Sequence, residues 1–137
     1  MISKHHILMD FSSKKKVLIV DDEPDVTETF KLGLEQNGFS VDTFNDPEIA
    51  LSNFNPNFYD IVLLDIKMPK MNGFELYEKI RKKDSSAKTK VCFITAYEVY
   101  YQSLREQFPD TKIECYIKKP IQINDLAKRL HAELAEP

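Results

Sequence analysis

Apolar residues fall along this chain in two rhythms. Val17-Leu18-Ile19-Val20, Ile61-Val62-Leu63-Leu64, Val91-Cys92-Phe93-Ile94 and the shorter Cys115-Tyr116-Ile117 are continuously apolar. Successive side chains of a strand point to opposite faces, so such runs predict strands covered on both sides. Phe39 to Phe44 instead mixes Phe39, Val41 and Phe44 with Ser40, Asp42 and Thr43, the pattern of a half-exposed edge strand. Between these runs the spacing becomes helical: Val26, Phe30 and Leu34; a short segment from Pro47 to Phe54; Phe74, Tyr77 and Ile80; Tyr100, Leu104 and Phe108; and Ile123, Leu126, Leu130 and Leu134. Pro24 and its acidic neighbours mark one helix start, Gly38 its end, and Pro69 with Asn72-Gly73 a loop before the third helix.

Five strand-helix units in alternation predict a doubly wound α/β domain, a five-stranded parallel sheet with helices on both faces, because right-handed crossovers deposit helices on either side. With 137 residues, 42% of them hydrophobic, the chain has the length and apolar content for one core. Residues 1–15 read as a flexible N-terminal leader and 16–137 as the folded domain. The pair His5-His6 is too short to claim a metal site.

A net charge of −3 with interspersed signs argues against a nucleic-acid surface or a polybasic membrane anchor. No apolar run has the length of a membrane span or a secretory signal, so a cytoplasmic location is expected. Cys92 and Cys115 are the only cysteines, each within an apolar run and far apart in sequence, and buried reduced thiols are expected.

In open sheets of this class ligands bind beyond the carboxyl ends of the strands. Asp21 and Asp22 follow the first strand, Asp65 the third, Thr95 the fourth and Lys119 the fifth, so the fold gathers three carboxylates, a hydroxyl and an ammonium on one rim. Singly, each has an ordinary explanation as a helix cap, a strand stop or a solvated charge. Together, three carboxylates repel one another unless a cation is present, and an all-oxygen donor set suits Mg²⁺. Phosphoryl transfer needs a nucleophile, a metal and further donors for the developing charge. Asp65 supplies the nucleophile, Thr95 and Lys119 the donors, and Asp22 with Asp65 the metal ligands.

The segments Val20-Asp21-Asp22-Glu23-Pro24, Leu64-Asp65-Ile66-Lys67-Met68-Pro69 with Asn72-Gly73, Ile94-Thr95-Ala96 and Tyr116-Ile117-Lys118-Lys119-Pro120 occur in this order between about Lys16 and Leu134. In that set the sequence resembles the response regulator receiver domain of two-component signalling, especially its single-domain chemotaxis type. The resemblance implies a flavodoxin-like strand order of 2-1-3-4-5. It implies that Asp65 is the phosphoacceptor, and that Asp22, Asp65 and the backbone carbonyl of Lys67 ligate Mg²⁺ while Asp21 assists through water. It makes Thr95 and Tyr116 the switch pair and Lys119 the family lysine, with Lys118 facing solvent. A histidine kinase or phosphotransfer protein would be the donor, and the fourth helix, fifth strand and fifth helix the docking face for a downstream protein, with no enzymatic activity beyond the domain's own phosphorylation and dephosphorylation.

Tyr97, Tyr100 and Tyr101 add aromatic content there, suited to a protein interface if exposed. Lys67 and Tyr97, each two residues past a site residue, are positioned to hinder water and lengthen the phosphoryl lifetime. Three rivals fit less well. An FMN carrier needs a hydroxyl- or glycine-rich first loop where this one is acidic. An aspartyl-phosphate hydrolase usually has its nucleophile on the first strand, and a degenerate docking module would have lost site residues that are all present.

Overall fold

The computed structural model describes residues 14–84 and 88–135. The leader expected over residues 1–15 lies almost wholly outside them; Lys15, assigned to it, is the first residue of a strand. The strands are β1 (Lys15–Val20), β2 (Phe39–Phe44), β3 (Ile61–Asp65), β4 (Lys90–Thr95) and β5 (Cys115–Lys118). The helices between and after them are α1 (Pro24–Gln36), α2 (Pro47–Asn53), α3 (Gly73–Lys83), α4 (Glu98–Gln107) and α5 (Ile123–Ala135). All pairings are parallel, in the order β2-β1-β3-β4-β5. That is the expected doubly wound architecture.

The sheet divides the apolar residues into two layers. Val20, Leu64, Phe74, Phe93, Tyr101 and Leu104 belong to the layer beneath α2, α3 and α4. Ile19, Leu34, Leu63, Ile94, Leu126 and Leu130 belong to the one beneath α1 and α5. Neighbours within a strand go to opposite layers, which explains why the central strands are apolar at every position. Just past the end of α1, Gly38 has a φ of +91°, the left-handed turn that stops a helix.

Three expectations are corrected. β5 is apolar on one side only: it is the second edge of the sheet, with Cys115 and Ile117 buried, Tyr116 half-buried and Lys118 exposed. On α4 the inward face is set by Tyr101 and Leu104; Tyr100 is half-buried, and Tyr101, at 5% exposure, is core and no part of an exposed interface. Cys92 and Cys115 are buried as expected, but they are joined in a disulfide. The parallel register sets them directly opposite each other on β4 and β5 with Cα atoms 4.5 Å apart, a proximity that 23 residues of sequence separation conceal.

Candidate functional site

The carboxyl ends of β1, β3, β4 and β5 converge on a pocket of about 530 Å³ lined by Asp22, Glu23, Asp65, Lys67, Met68, Pro69, Ala96, Tyr97, Tyr100 and Lys119. Asp65 closes β3, its Cα paired with that of Ile94. The chain then turns sharply into α3: Gly73 N–H donates to the Ile66 carbonyl at 2.8 Å. A Cβ at Gly73 would stand 2.5 Å from the Asp65 carbonyl oxygen, so only glycine permits this approach. Asn72 and Glu75 form a reciprocal capping box at the start of α3, fixing the loop's far end.

Asp21, Asp22 and Asp65 present carboxylate oxygens within 4.8 Å of one another, and Asp21 and Asp65 are 1% and 4% exposed. Burial, followed by the nearby charge of Asp21, pushes the Asp65 carboxyl up to about 7; Lys119 opposes that rise and Asp22 adds to it. Lys119 Nζ lies 2.6 Å from Asp21 Oδ2 and 3.8 Å from Asp65 Oδ1. Burial alone would lower the Lys119 ammonium, but the hydrogen bond to Asp21 and the charges of Asp65 and Asp21 outweigh it and hold it above its ordinary value.

The three acids are not equivalent. Asp21 Oδ1 accepts from the Glu23 N–H at 2.9 Å and its Oδ2 is held by Lys119, so both oxygens are engaged. Asp22, half-buried, lines the pocket with Asp65. One cation beside three carboxylates leaves the cluster negative, and the donor set is all oxygen, which fits a hard divalent ion. The groups able to hold it directly are Asp22 and Asp65, together with main-chain oxygens of the loop containing Lys67, while Asp21 stands behind them.

On the other side of Asp65, Thr95 is 1% exposed and its Oγ1 accepts from the Tyr97 N–H at 3.0 Å. That leaves the hydroxyl proton available. Lys119 is tied to the same strand end, its N–H donating to the Thr95 carbonyl at 2.9 Å, and Lys118 is exposed. The Lys119-Pro120 peptide is cis. Tyr116 stacks face to face on Tyr101 with centroids 3.8 Å apart, and its hydroxyl donates to the Glu98 carboxylate. Burial, reinforced by that carboxylate, raises the Tyr116 hydroxyl above its ordinary value. Lys67 Nζ sits 4.6 Å above the Tyr97 ring and 5.7 Å from that of Tyr100, bridging the mouth of the pocket by cation–π contact.

The structure thus brings Asp21, Asp22, Asp65, Lys67, Thr95 and Lys119 together at this rim, while Tyr116 lies farther down β5, paired with Phe93 and stacked on Tyr101. Sequence reasoning missed Glu98 and Tyr101 as partners of Tyr116, and Asn45, Asp46 and Lys70 as supports of the loops. Asp46 accepts at its N-cap position from Glu48 and Ile49 and binds Lys70 Nζ at 2.8 Å. The Asp46-Pro47 pair carries a capping signal; the Lys70 partnership, across 24 residues, carries none.

Comparison with known proteins agrees with this geometry. The family profile described as the response regulator receiver domain matches residues 17–131. The response regulator ArlR of Staphylococcus aureus is 33% identical over 119 residues, covering 87% of this chain and 52% of that protein. The chain thus spans about half the length of the curated relatives it matches. Among solved structures, a CheY-like receiver domain protein from Methanospirillum hungatei superposes with a TM-score of 0.74 at 30% identity, covering 89% of this chain and 94% of that one. The response regulator TrrA of Thermotoga maritima, solved in complex with Mg²⁺ and BeF, gives 0.71 at 35% identity, with coverage of 88% and 98%. Among the described residues no helix is long and apolar enough to cross a membrane. Fold, rim chemistry and these likenesses agree: the chain belongs to the response regulator receiver domain family and is a receiver of two-component signalling.

Proposed function

We propose that residues 16–137 form a phosphoacceptor receiver that takes a phosphoryl group on Asp65 in a Mg²⁺-dependent reaction and answers by reshaping its α4-β5-α5 face. The observation that carries this reading is the placement of Asp65 between two unlike walls. Asp21 and Asp22 follow the strand on one side of β3 and Thr95 the strand on the other, while the Lys119 ammonium reaches in from β5 to 2.6 Å from Asp21 and 3.8 Å from Asp65.

A carboxylate oxygen of Asp65 attacks phosphorus, and the bond from phosphorus to the donor breaks. Where the donor is a phosphohistidine of a histidine kinase or phosphotransfer protein, the electron pair stays on the imidazole nitrogen. Asp22, Asp65 and the Lys67 carbonyl would hold Mg²⁺, which would supply positive charge for the phosphoryl oxygens. Lys119 can release Asp21 and follow the incoming charge, for its ammonium already lies 3.8 Å from Asp65. Thr95 offers its free hydroxyl proton to another oxygen.

Any shift of Thr95 toward the phosphoryl group draws its oxygen from the Tyr97 N–H, which lies immediately before α4. Tyr116 lies on the neighbouring strand β5, and its hold on the α4 surface rests on Glu98 and Tyr101. Phosphorylation then selects a second arrangement of α4 and β5 to the extent that it binds that arrangement better. Lys67 and Tyr97 meet at the mouth of the pocket, where they would hinder attacking water and lengthen the life of the phosphoryl state.

The reading places the protein in the cytoplasm, where kinase donors act, with the Cys92 and Cys115 sulfurs shielded from reductant by burial. Alkylation at the moment of lysis, followed by mass analysis, counts the copies holding that bond.

The decisive test is intact mass after incubation with acetyl phosphate, with and without Mg²⁺, on the wild type and on Asp65→Ala. One Mg²⁺-dependent adduct, absent from the variant, is the expected result. An adduct that persists in Asp65→Ala would overturn the assignment. A wild type that stays unmodified both here and with a phosphorylated kinase would overturn the phosphoacceptor function itself.

A further inference from the structure

Asn45 stands at the end of β2 and does not line the pocket. Its side-chain amide nevertheless ties that strand to the acidic loop. Nδ2 donates to the backbone carbonyl of Asp21 at 2.8 Å and to Thr27 Oγ1 at 2.9 Å. The Thr27 hydroxyl proton is already committed to the Pro24 carbonyl at 3.0 Å. Both groups facing Asn45 are thus acceptors, and only a side chain with two donors on one atom satisfies them. The orientation of the amide follows from its surroundings.

The same loop is bound to β2 at a second point, where the Asp21 N–H donates to the Phe44 carbonyl at 3.1 Å. Its other end is tied into α1 by the Thr27 hydroxyl. Asp22 lies in the chain between these ties. The residue beside Asn45 does the corresponding task for the second loop: Asp46 caps α2 through Oδ1 and holds Lys70, three residues beyond Lys67, through Oδ2. The turn at residues 45–46 therefore grips both loops that carry the oxygen donors, from outside the pocket.

We infer that Asn45 is a positioning residue for cation binding: by fixing the Asp21 carbonyl and Thr27 it sets the distance between the Asp22 and Asp65 carboxylates and hence the Mg²⁺ affinity. This rests on the receiver chemistry proposed above. Asn45 is itself exposed, so its replacement opens no cavity in the core.

Calorimetric titration of metal-free protein with Mg²⁺ tests the inference, with melting in chelator as the check on folding. Asn45→Ala is expected to weaken Mg²⁺ binding about fivefold, as for the loss of one or two neutral hydrogen bonds. Asn45→Asp discriminates further. An added negative charge near the site would strengthen cation binding if charge alone mattered, whereas an acceptor facing two acceptors misplaces the loop and weakens it beyond Asn45→Ala. Thr27→Ser should retain the wild-type affinity and Thr27→Val should lose part of it. In acetyl phosphate reactions, Asn45→Ala should raise the Mg²⁺ concentration needed for half-maximal phosphorylation and leave the rate at saturating Mg²⁺ within about twofold.

Unchanged affinity in Asn45→Ala, or tighter binding in Asn45→Asp, would overturn the inference while leaving the proposed function standing. A wild type that binds no Mg²⁺, or an Asp22→Asn variant that binds it equally well, would overturn the proposed function and this inference with it.

Discussion

The two sides of the rim are built differently. On the acid side β1 lies between β2 and β3, the Asp21 peptide is bonded to Phe44 and Asn45, α2 is capped by Asp46, and α3 begins in a capping box. On the other side β5 has four residues and one neighbour, and α4 has no side-chain cap from its own N-cap residue, only the Thr95 hydroxyl on the Tyr97 N–H. Tyr97 and Val99 are exposed there, at 54% and 84%. A cation site gains affinity from ligands held in place before binding, while a responsive surface needs an arrangement that little free energy separates from another. Under the proposed function, the better-braced side of the rim is the one that would bind the cation, and the less-braced side the one that would carry the response.

Asp65→Asn should form no phosphoryl adduct by intact mass under any Mg²⁺ concentration, with the fold retained by circular dichroism; a surviving adduct would move the acceptor elsewhere.

Phe74 anchors α3 between the two sides, fully buried with its ring against Phe93, Tyr101 and Phe108. Phe74→Ala should lower unfolding stability by about 3–5 kcal/mol in denaturant titrations. A loss under about 1 kcal/mol would show that the aromatic layer collapses to fill the gap.

Asp22→Asn should raise the Mg²⁺ dissociation constant by about tenfold or more while Tyr116→Phe leaves it unchanged. Equal effects of the two would erase the division of labour. Lys67→Asn and Tyr97→Glu should each speed dephosphorylation several-fold, measured as decay of the adduct after donor removal, since either opens the cation–π bridge. Identical decay in all three proteins would reduce that bridge to packing.

The smallest effect belongs to Glu98→Gln, which exchanges a charged acceptor for a neutral one. It should change the Tyr116 ring environment in NMR spectra and leave Mg²⁺ affinity untouched.

Much of this was legible in the sequence because its signals were local. A run such as Ile61-Val62-Leu63-Leu64 followed at once by Asp65 specifies a buried strand and the polar residue at its end. The parallel topology then delivers Asp21, Asp22, Thr95 and Lys119 to the same rim without further information. The illegible parts depend on register and on side chains far apart in sequence. Cys92 meets Cys115 only because β4 and β5 pair as they do, and Tyr101 replaces Tyr100 as the inward ring through a rotation of α4 that the periodicity of 100, 104 and 108 does not resolve. The bonds from Asn45 to Asp21 and from Lys70 to Asp46 each span 24 residues and leave no pattern behind.

The chain contains six tyrosines and no tryptophan. Its ultraviolet emission is therefore the sum of a few phenols, and a phenol bonded to a carboxylate and stacked on another, as Tyr116 is on Glu98 and Tyr101, emits weakly. Release of Tyr116 from those two partners would brighten the protein without any attached dye, so the native chain carries its own optical gauge of the state of β5.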